Sequence, residues 1–190
     1  TTAHGAESLA YSYGTFRGGD WGIGERFLNR HGSPNSCGQD KVCYGTLTLA
    51  ESLTYGFGPT VFAWPVPAVT RCVVLWGMRP IASAPLLWRA ISRAHRAGAR
   101  LIVIDPLRTQ EAQRADTWLA PLPGSDTALA LGLLKVLVER DWHDADFVRQ
   151  HCTGFDELAA QLASHSLDAL AAQCGLDVDS IVNVAQAIAG

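Results

Sequence analysis

The stretch Arg100-Leu-Ile-Val-Ile-Asp105 contains a continuous apolar run over residues 101–104, and Cys72-Val-Val-Leu-Trp76 upstream is a second one. Both runs are rich in β-branched side chains and do not alternate with polar residues, which is typical of strands buried on both faces. Between them, residues 86–97 repeat apolar side chains at helical spacing. A strand, a helix and a strand in this order predict a right-handed parallel crossover.

The pattern continues downstream of this unit. Residues 109–115 predict a further helix, Thr117-Trp-Leu-Ala-Pro121 predicts a short strand, and residues 127–140 predict a long apolar helix. Residues 147–190 are mostly helical in pattern. The predicted fold class is therefore α/β, with an open, mostly parallel sheet and helices on both faces, of the dinucleotide-binding type.

The upstream part of the chain has a different composition. Residues 1–60 are rich in Gly, Ser, Thr, Tyr and Asn, and they predict a Gly-rich irregular α+β segment. Helical spacing indicates one helix before Gly32 and a second over residues 46–55, whose inner face would carry Leu47, Leu49 and Leu53. We expect two domains, a Gly-rich segment at residues 1–65 and an α/β domain at residues 66–190.

Composition excludes several classes of partner. The chain has 190 residues, a net charge of −3 and 48% hydrophobic residues, so its composition is globular. Nothing in it suggests nucleic acid or an anionic membrane surface as a partner, since both would call for a basic face. No stretch is long and apolar enough to span a bilayer, and no signal peptide is visible. The chain starts without Met and ends just after a helical pattern, so we expect a piece of a longer polypeptide.

Ligands of open parallel sheets bind beyond the carboxyl ends of the strands. That rule places residues 77–83, 105–109 and 122–126 along one rim. A glycine at 77 allows a ligand to approach the backbone, and Asp105 can accept from ribose hydroxyls or guanine N–H groups. Arg108 is either a phosphate contact or a solvated loop arginine, and Asp126 is either a helix cap or a ligand contact. Neither G-x-G-x-x-G nor a P-loop motif is present.

Cys43 is the sharpest chemical feature upstream of the sheet. It lies in Lys41-Val-Cys-Tyr-Gly45, next to a predicted helix start and a lysine, which favour a thiolate. A thiolate is a soft ligand suited to a sulfur-loving metal. A half-buried loop cysteine and a nucleophile paired with His31 are the alternatives, the latter without an apparent third orienting group. With five cysteines and no C-x-x-C pair, neither a disulfide framework nor a zinc ribbon is predicted.

Six stretches carry a resemblance to a known family. They are Arg26-Phe-Leu-Asn-Arg-His-Gly-Ser-Pro-Asn35, Val42-Cys-Tyr-Gly45, Val74-Leu-Trp-Gly-Met-Arg-Pro80 with Ser83 and Pro85, Gly98-Ala-Arg-Leu-Ile-Val-Ile-Asp-Pro-Leu-Arg-Thr109, Ala115-Asp-Thr-Trp-Leu119 and Pro123-Gly-Ser-Asp-Thr-Ala-Leu129. In this order and spacing they resemble the molybdopterin guanine dinucleotide oxidoreductases, the superfamily of dimethyl-sulfoxide reductase and formate dehydrogenase. The resemblance covers nearly the whole chain.

The resemblance implies a role for particular residues. Cys43 would be the protein ligand of the metal, with Tyr44 beside it in the catalytic site. The cofactor would be held by three loops, which contain Gly77, Met78, Arg79, Pro80 and Ser83 in the first, Asp105, Arg108 and Thr109 in the second, and Pro123, Gly124 and Asp126 in the third. Two positions depart from the family pattern: Arg79 stands where Asn is usual, and Leu107 where Arg is usual.

The resemblance also implies cofactors and partners. Family enzymes use two molybdopterin guanine dinucleotides and molybdenum or tungsten for two-electron redox chemistry on a small substrate. We expect a 4Fe-4S cluster only in an N-terminal segment absent from this sequence, and an electron-transfer subunit as a partner. The resemblance is compatible with a prokaryotic cytoplasm or periplasm. We expect this piece alone to be inactive and unable to hold the full cofactor. Two alternatives remain open, a metal-free scaffold subunit and a non-redox tungsten hydratase.

Overall fold

The computed structural model describes residues 2–14, 22–38, 44–56 and 64–190. The chain divides into two units, Thr1–Phe62 and Ala63–Gly190. Within the described residues, no helix combines the length and the apolar character that crossing a bilayer demands.

The first unit contains a small parallel sheet. A 3-10 turn at Ala6–Ser8 precedes strand β1 (Tyr11–Tyr13), and helix α1 (Ile23–His31) leads to strand β2 (Ser36–Gly38), which pairs with β1 in parallel. Helix α1 ends at Gly32, which has φ of 87°, a left-handed conformation that glycine adopts without strain. This pairing was not predicted, because both strands are short and lack β-branched side chains.

Helix α2 (Tyr44–Tyr55) completes the described part of the first unit. The predicted inner face is wrong as a description of burial, since Leu47, Leu49 and Leu53 are exposed, Leu53 by 80%. Helical spacing identifies an apolar face, but it does not identify the surface that would cover it.

The second unit is built on a parallel sheet. Strands β3 (Cys72–Trp76), β4 (Arg100–Ile104) and β5 (Thr117–Leu119) lie in the order β3-β4-β5, with Val74 opposite Ile102 and Ile102 opposite Thr117. Helices α3 (Pro80–Ser83) and α4 (Pro85–Arg96) connect β3 to β4. A loop and a 3-10 turn at Ala112–Arg114 connect β4 to β5, where the sequence predicted a longer helix.

The remaining chain is helical. It forms α5 (Asp126–Glu139), α6 (Ala145–His151), α7 (Phe155–Ala163), α8 (Leu167–Cys174) and α9 (Val178–Ala189). Helices α6, α8 and α9 begin at side-chain caps, in which the cap residue accepts a hydrogen bond from the amide three residues on; these caps are Asp144, Ser166 and Asp177.

Alternate side chains of β4 enter two separate hydrophobic cores. Ile102 and Ile104 pack with α5, α8 and α9 on one face, whereas Leu101 and Val103 pack with Ile91 of α4 on the other. All four β4 side chains are buried, to 1% exposure or less. The sheet is therefore flanked by helices on both faces, which confirms the predicted α/β class.

Candidate functional site at the carboxyl edge of the sheet

The ends of the strands in the second unit meet at one edge. The Gly77 amide donates to the Ile104 carbonyl at 2.9 Å, and the Asp105 amide donates to the Leu119 carbonyl at 3.0 Å. Since the strands are parallel, the loops that follow them leave the sheet at the same edge. The sequence predicted the candidate cofactor-binding residues in these loops.

The first loop turns at Gly77 into α3. Gly77 is exposed with φ of 58°, a conformation that favours glycine. The Met78 side chain packs against the core on the α4 face, and Pro80 is buried at the first turn of α3. Arg79 is exposed, so its guanidinium can face a ligand, whereas the Ser83 hydroxyl donates to the Arg79 carbonyl at 3.0 Å.

The second loop is held rigidly by its own polar groups. Asp105 is 8% exposed, and its Oδ1 accepts from the Leu107 amide at 2.8 Å. The Asp105 carbonyl accepts from the Trp118 indole Nε1 at 2.8 Å. Thr109 is also buried, and its Oγ1 accepts from the Ala112 amide at 3.2 Å, which opens the 3-10 turn. The Thr109 hydroxyl therefore serves mainly to shape the loop.

Arg108 is the exposed cation of this loop. Its guanidinium lies over the Trp118 ring, 5.8 Å from the centroid, a cation–π distance. Trp118 thus supports both the backbone of Asp105 and the side chain of Arg108. Stacking restricts the rotamers of Arg108, so its N–H donors are held at the rim where a phosphate could accept them.

The third loop leads into α5. Pro123 and Gly124 are exposed, and Gly124 has φ of 86°. Asp126 is the first residue of α5, whose N-cap is Ser125, and its Oδ1 accepts from the Trp76 indole Nε1 at 2.6 Å. Asp126 therefore anchors the third loop to the end of β3 rather than capping α5.

A cleft of about 490 Å³ adjoins the third loop. Its lining includes Pro123, Gly124 and Thr127 of the third loop and the start of α5, together with His165 and Gln173. The lining mixes apolar and polar side chains and contains no Asp, Glu, Lys or Arg.

The predicted metal ligand, Cys43, lies outside the described residues. Tyr44 begins α2. Among the residues that the structure describes, no group of three or more His, Cys, Asp or Glu side chains is arranged to hold a metal ion.

Two thiols of the second unit, Cys72 and Cys174, are poor candidates for metal or nucleophilic chemistry. Burial raises the pKa of Cys72, against the opposing effect of Arg100, and burial also raises the pKa of Cys174. Both thiols are therefore protonated near neutral pH, whereas a ligand or a nucleophile must be a thiolate.

At the amino ends of the strands, opposite the candidate site, an acidic side chain has a structural role. Asp116 accepts from the Leu101 amide at 2.8 Å and lies 3.1 Å from Nε2 of His95. Partial burial acts to raise the pKa of Asp116, but the Leu101 amide, His95 and Arg100 outweigh it and hold that pKa below its usual range. This edge is remote from the carboxyl ends of the strands.

Three residues at the carboxyl edge were not predicted as part of the site: Trp76, Trp118 and Glu111. The signal available for the tryptophans was their place in strands that end at the rim, since a buried indole N–H needs an acceptor. Glu111 lies in a polar stretch that is typical of a solvated loop, yet it is 1% exposed. No spacing rule in the sequence indicates that burial.

Comparison with known proteins identifies the family. The profile described as "Molybdopterin oxidoreductase" matches residues 1–188. The chain is 30% identical over 181 residues to the acetylene hydratase of Syntrophotalea acetylenica, covering 94% of this chain and 24% of that protein. It is also 30% identical over 191 residues to the nitrate reductase of Shewanella frigidimarina, covering 98% of this chain and 20% of that protein.

A solved structure agrees with the sequence comparison. The acetylene hydratase from Pelobacter acetylenicus superposes with a TM-score of 0.66 at 30% identity, over 97% of this chain and 25% of that one. The chain therefore spans between a fifth and a quarter of the length of these proteins. Profile, relatives and fold agree with the resemblance carried by the six stretches, and the chain belongs to the molybdopterin oxidoreductase family.

Proposed function

We propose that this chain is part of the catalytic subunit of a molybdenum or tungsten oxidoreductase that carries out two-electron redox chemistry on a small substrate. The carboxyl edge of the sheet would hold a molybdopterin guanine dinucleotide, and Cys43 would be the protein ligand of the metal. The observation that supports this most is the convergence of the Gly77, Asp105 and Gly124 loops on one edge of the sheet.

The residues at this edge fit a dinucleotide. A Cβ atom built on Gly77 or on Gly124 meets no heavy atom within 4 Å, so both backbones face open space and a ligand can approach them closely. Arg79 and Arg108 are exposed cations in the first and second loops. Open backbone and exposed cations together suit a pyrophosphate.

Each side chain would contribute in its own way. Arg108, stacked on Trp118, would donate to phosphate oxygens. One Asp105 oxygen accepts from Leu107, and the other accepts no hydrogen bond from the described residues, so it can accept from the guanine or the ribose. Asp126 would act on the ligand less directly, because Oδ1 already accepts from Trp76.

The soft thiolate of Cys43 suits molybdenum or tungsten. When bound, the metal and its pterins would supply the two-electron redox step. Since the chain spans about a quarter of its relatives, we place the second dinucleotide and the 4Fe-4S cluster in other parts of a longer polypeptide. A small molecule would be the substrate, and an electron-transfer subunit the redox partner.

A second candidate is a non-redox hydratase. The similarity to acetylene hydratase, in sequence and in structure, over nearly the whole chain favours it. A metal-free scaffold is less favoured, because the rim keeps its open glycines and exposed arginines.

Metal analysis of the natural full-length protein tests the main proposal, with the extracted pterin and guanine nucleotide quantified. We expect molybdenum or tungsten together with pterin guanine dinucleotide. Cys43→Ala should lower metal occupancy and activity while the nucleotide stays bound, since its proposed contacts lie in other loops. The matched control is Cys37→Ala, a change at an exposed cysteine in β2.

Three outcomes would overturn parts of the proposal. Protein without pterin would favour the scaffold. Full metal occupancy in Cys43→Ala would exclude Cys43 as a ligand. Water addition to acetylene without electron transfer to a dye would identify the hydratase.

A further inference from the structure

A buried carboxyl group connects the first and second loops of the rim. Oε1 of Glu111 accepts a hydrogen bond from the Ile81 amide at 2.9 Å. Glu111 closes the second loop, and Ile81 lies in the first turn of α3, just after the first loop. The contact therefore joins segments that leave two neighbouring strands.

The Ile81 amide needs such an acceptor. Amides in the first turn of a helix have no partner inside the helix, and Pro80 before it has no N–H at all. The main chain of Glu111 is itself held in place, since the Glu111 carbonyl accepts from the Arg114 amide at 3.0 Å. Glu111 thus fixes the position of α3, and with it the loop that precedes α3.

Stability alone is a poor explanation for a glutamate at this position. Glu111 is 1% exposed, and its Oε2 is buried without a hydrogen-bond partner among the described residues. A buried carboxyl group that is only half satisfied costs free energy, whereas an apolar side chain of similar volume would avoid that cost. The carboxyl group of Glu111 therefore fixes the arrangement of the two loops, at a cost to the free energy of unfolding.

We propose that Glu111 is a positioning residue for nucleotide binding, which holds the Gly77–Arg79 backbone in register with Asp105 and Arg108. The inference rests on the proposed function, because it assumes that both loops contact the same dinucleotide. Glu111 itself does not reach the ligand, since it is almost fully buried. It acts through the Ile81 amide.

The test compares Glu111→Leu and Glu111→Gln in the natural full-length protein. Leucine removes the acceptor at similar volume, and glutamine keeps an acceptor for the Ile81 amide. We expect Glu111→Leu to lose its pterin guanine dinucleotide about tenfold faster on dilution, roughly the effect of one hydrogen bond. Glu111→Gln should retain the nucleotide within about twofold of the unchanged protein.

The matched control is Asp116→Ala, which removes the hydrogen bond that the Leu101 amide donates to Asp116 at the opposite edge of the same sheet. We expect this control to lower the thermal midpoint without altering nucleotide retention. In Glu111→Leu the midpoint should change little while retention falls. Amide hydrogen exchange in cofactor-free protein gives a second readout, in which exchange at Ile81 should accelerate in Glu111→Leu while Ile102 stays protected.

Two results would overturn the inference. One is unchanged retention in Glu111→Leu, and the other is a loss of retention that parallels the fall in midpoint in both Glu111→Leu and Asp116→Ala. A wild-type protein that carries no pterin guanine dinucleotide would instead overturn the proposed function, so the two failures are distinguishable.

Discussion

The indole Nε1 of Trp76 donates a 2.6 Å hydrogen bond to Oδ1 of Asp126, across 50 residues of sequence. The bond ties the last residue of β3 to the first residue of α5. Strand β3 lies at one side of the sheet, and the chain enters α5 after β5 at the other side. The hydrogen bond therefore brings the third loop back to the first.

The hydrogen bond between Trp76 and Asp126 should contribute to the free energy of unfolding. We expect a double-mutant cycle with Trp76→Phe and Asp126→Ala to give a coupling energy of about 1 kcal/mol. Urea unfolding followed by circular dichroism measures it. The cycle removes the separate contribution of the lost indole packing, and strictly additive single changes would show that the contact contributes no free energy.

Arg108 should contribute charge to nucleotide binding. In cofactor-free full-length protein, Arg108→Gln should weaken the binding of guanosine diphosphate about tenfold and reduce its dependence on salt. Calorimetric titration at two salt concentrations measures both effects. Arg114→Gln is the matched control, because Arg114 is a nearby exposed arginine whose guanidinium donates to the Gln110 carbonyl. Equal losses in both variants would indicate a general effect of charge.

The third loop also packs against the end of α8. Gly175 ends α8 with φ of 65°, and a Cβ built there lies 2.9 Å from Cγ of Leu122. Gly175→Ala should therefore cost about 2 to 3 kcal/mol, from left-handed strain together with overpacking. Gly124→Ala, where φ is 86° and the space is open, should cost only the strain, about 1 kcal/mol. Chemical unfolding of both variants measures the difference, and equal costs would exclude the Leu122 clash.

Asp116 should make stability depend on pH in the acidic range. Because its pKa is lower in the folded state, the ionised carboxylate contributes stability that is fully present above the unfolded pKa of about 3.9. That contribution is lost as the pH falls through the lower folded pKa. Thermal midpoints of wild type and Asp116→Asn should therefore differ near neutral pH and converge in strong acid. A constant difference across the range would contradict the assignment.

The sheet could be predicted because its signal is local. The continuous, β-branched runs that end at Trp76 and Ile104 are typical of strands covered on both faces, and both form strands. The expected burial holds for β4, whereas in β3 only Leu75 is buried and Val74 is exposed. The β1–β2 pair could not be predicted, since its register depends on contacts between distant segments, such as the Ser33 hydroxyl donating to the Leu9 carbonyl at 2.6 Å.

The candidate site was predictable in position more than in detail. The rule for parallel sheets indicates the loops of Gly77, Asp105 and Gly124 from the strand ends alone. The partners within those loops follow from tertiary packing, so neither the Trp76–Asp126 hydrogen bond nor the burial of Glu111 has a sequence signal. The assignment of Cys43 as a metal ligand stays a prediction.

The fluorescence of the two indoles at the rim, Trp76 and Trp118, can also be used to observe this edge of the sheet. Each N–H group is already donated, one to a carboxylate and one to a carbonyl, so the rings are fixed relative to the loops. Tryptophan emission is sensitive to nearby charge and to energy transfer. A pterin or a guanine arriving at the rim would therefore change the intrinsic fluorescence of the protein, which would report occupancy without any added label.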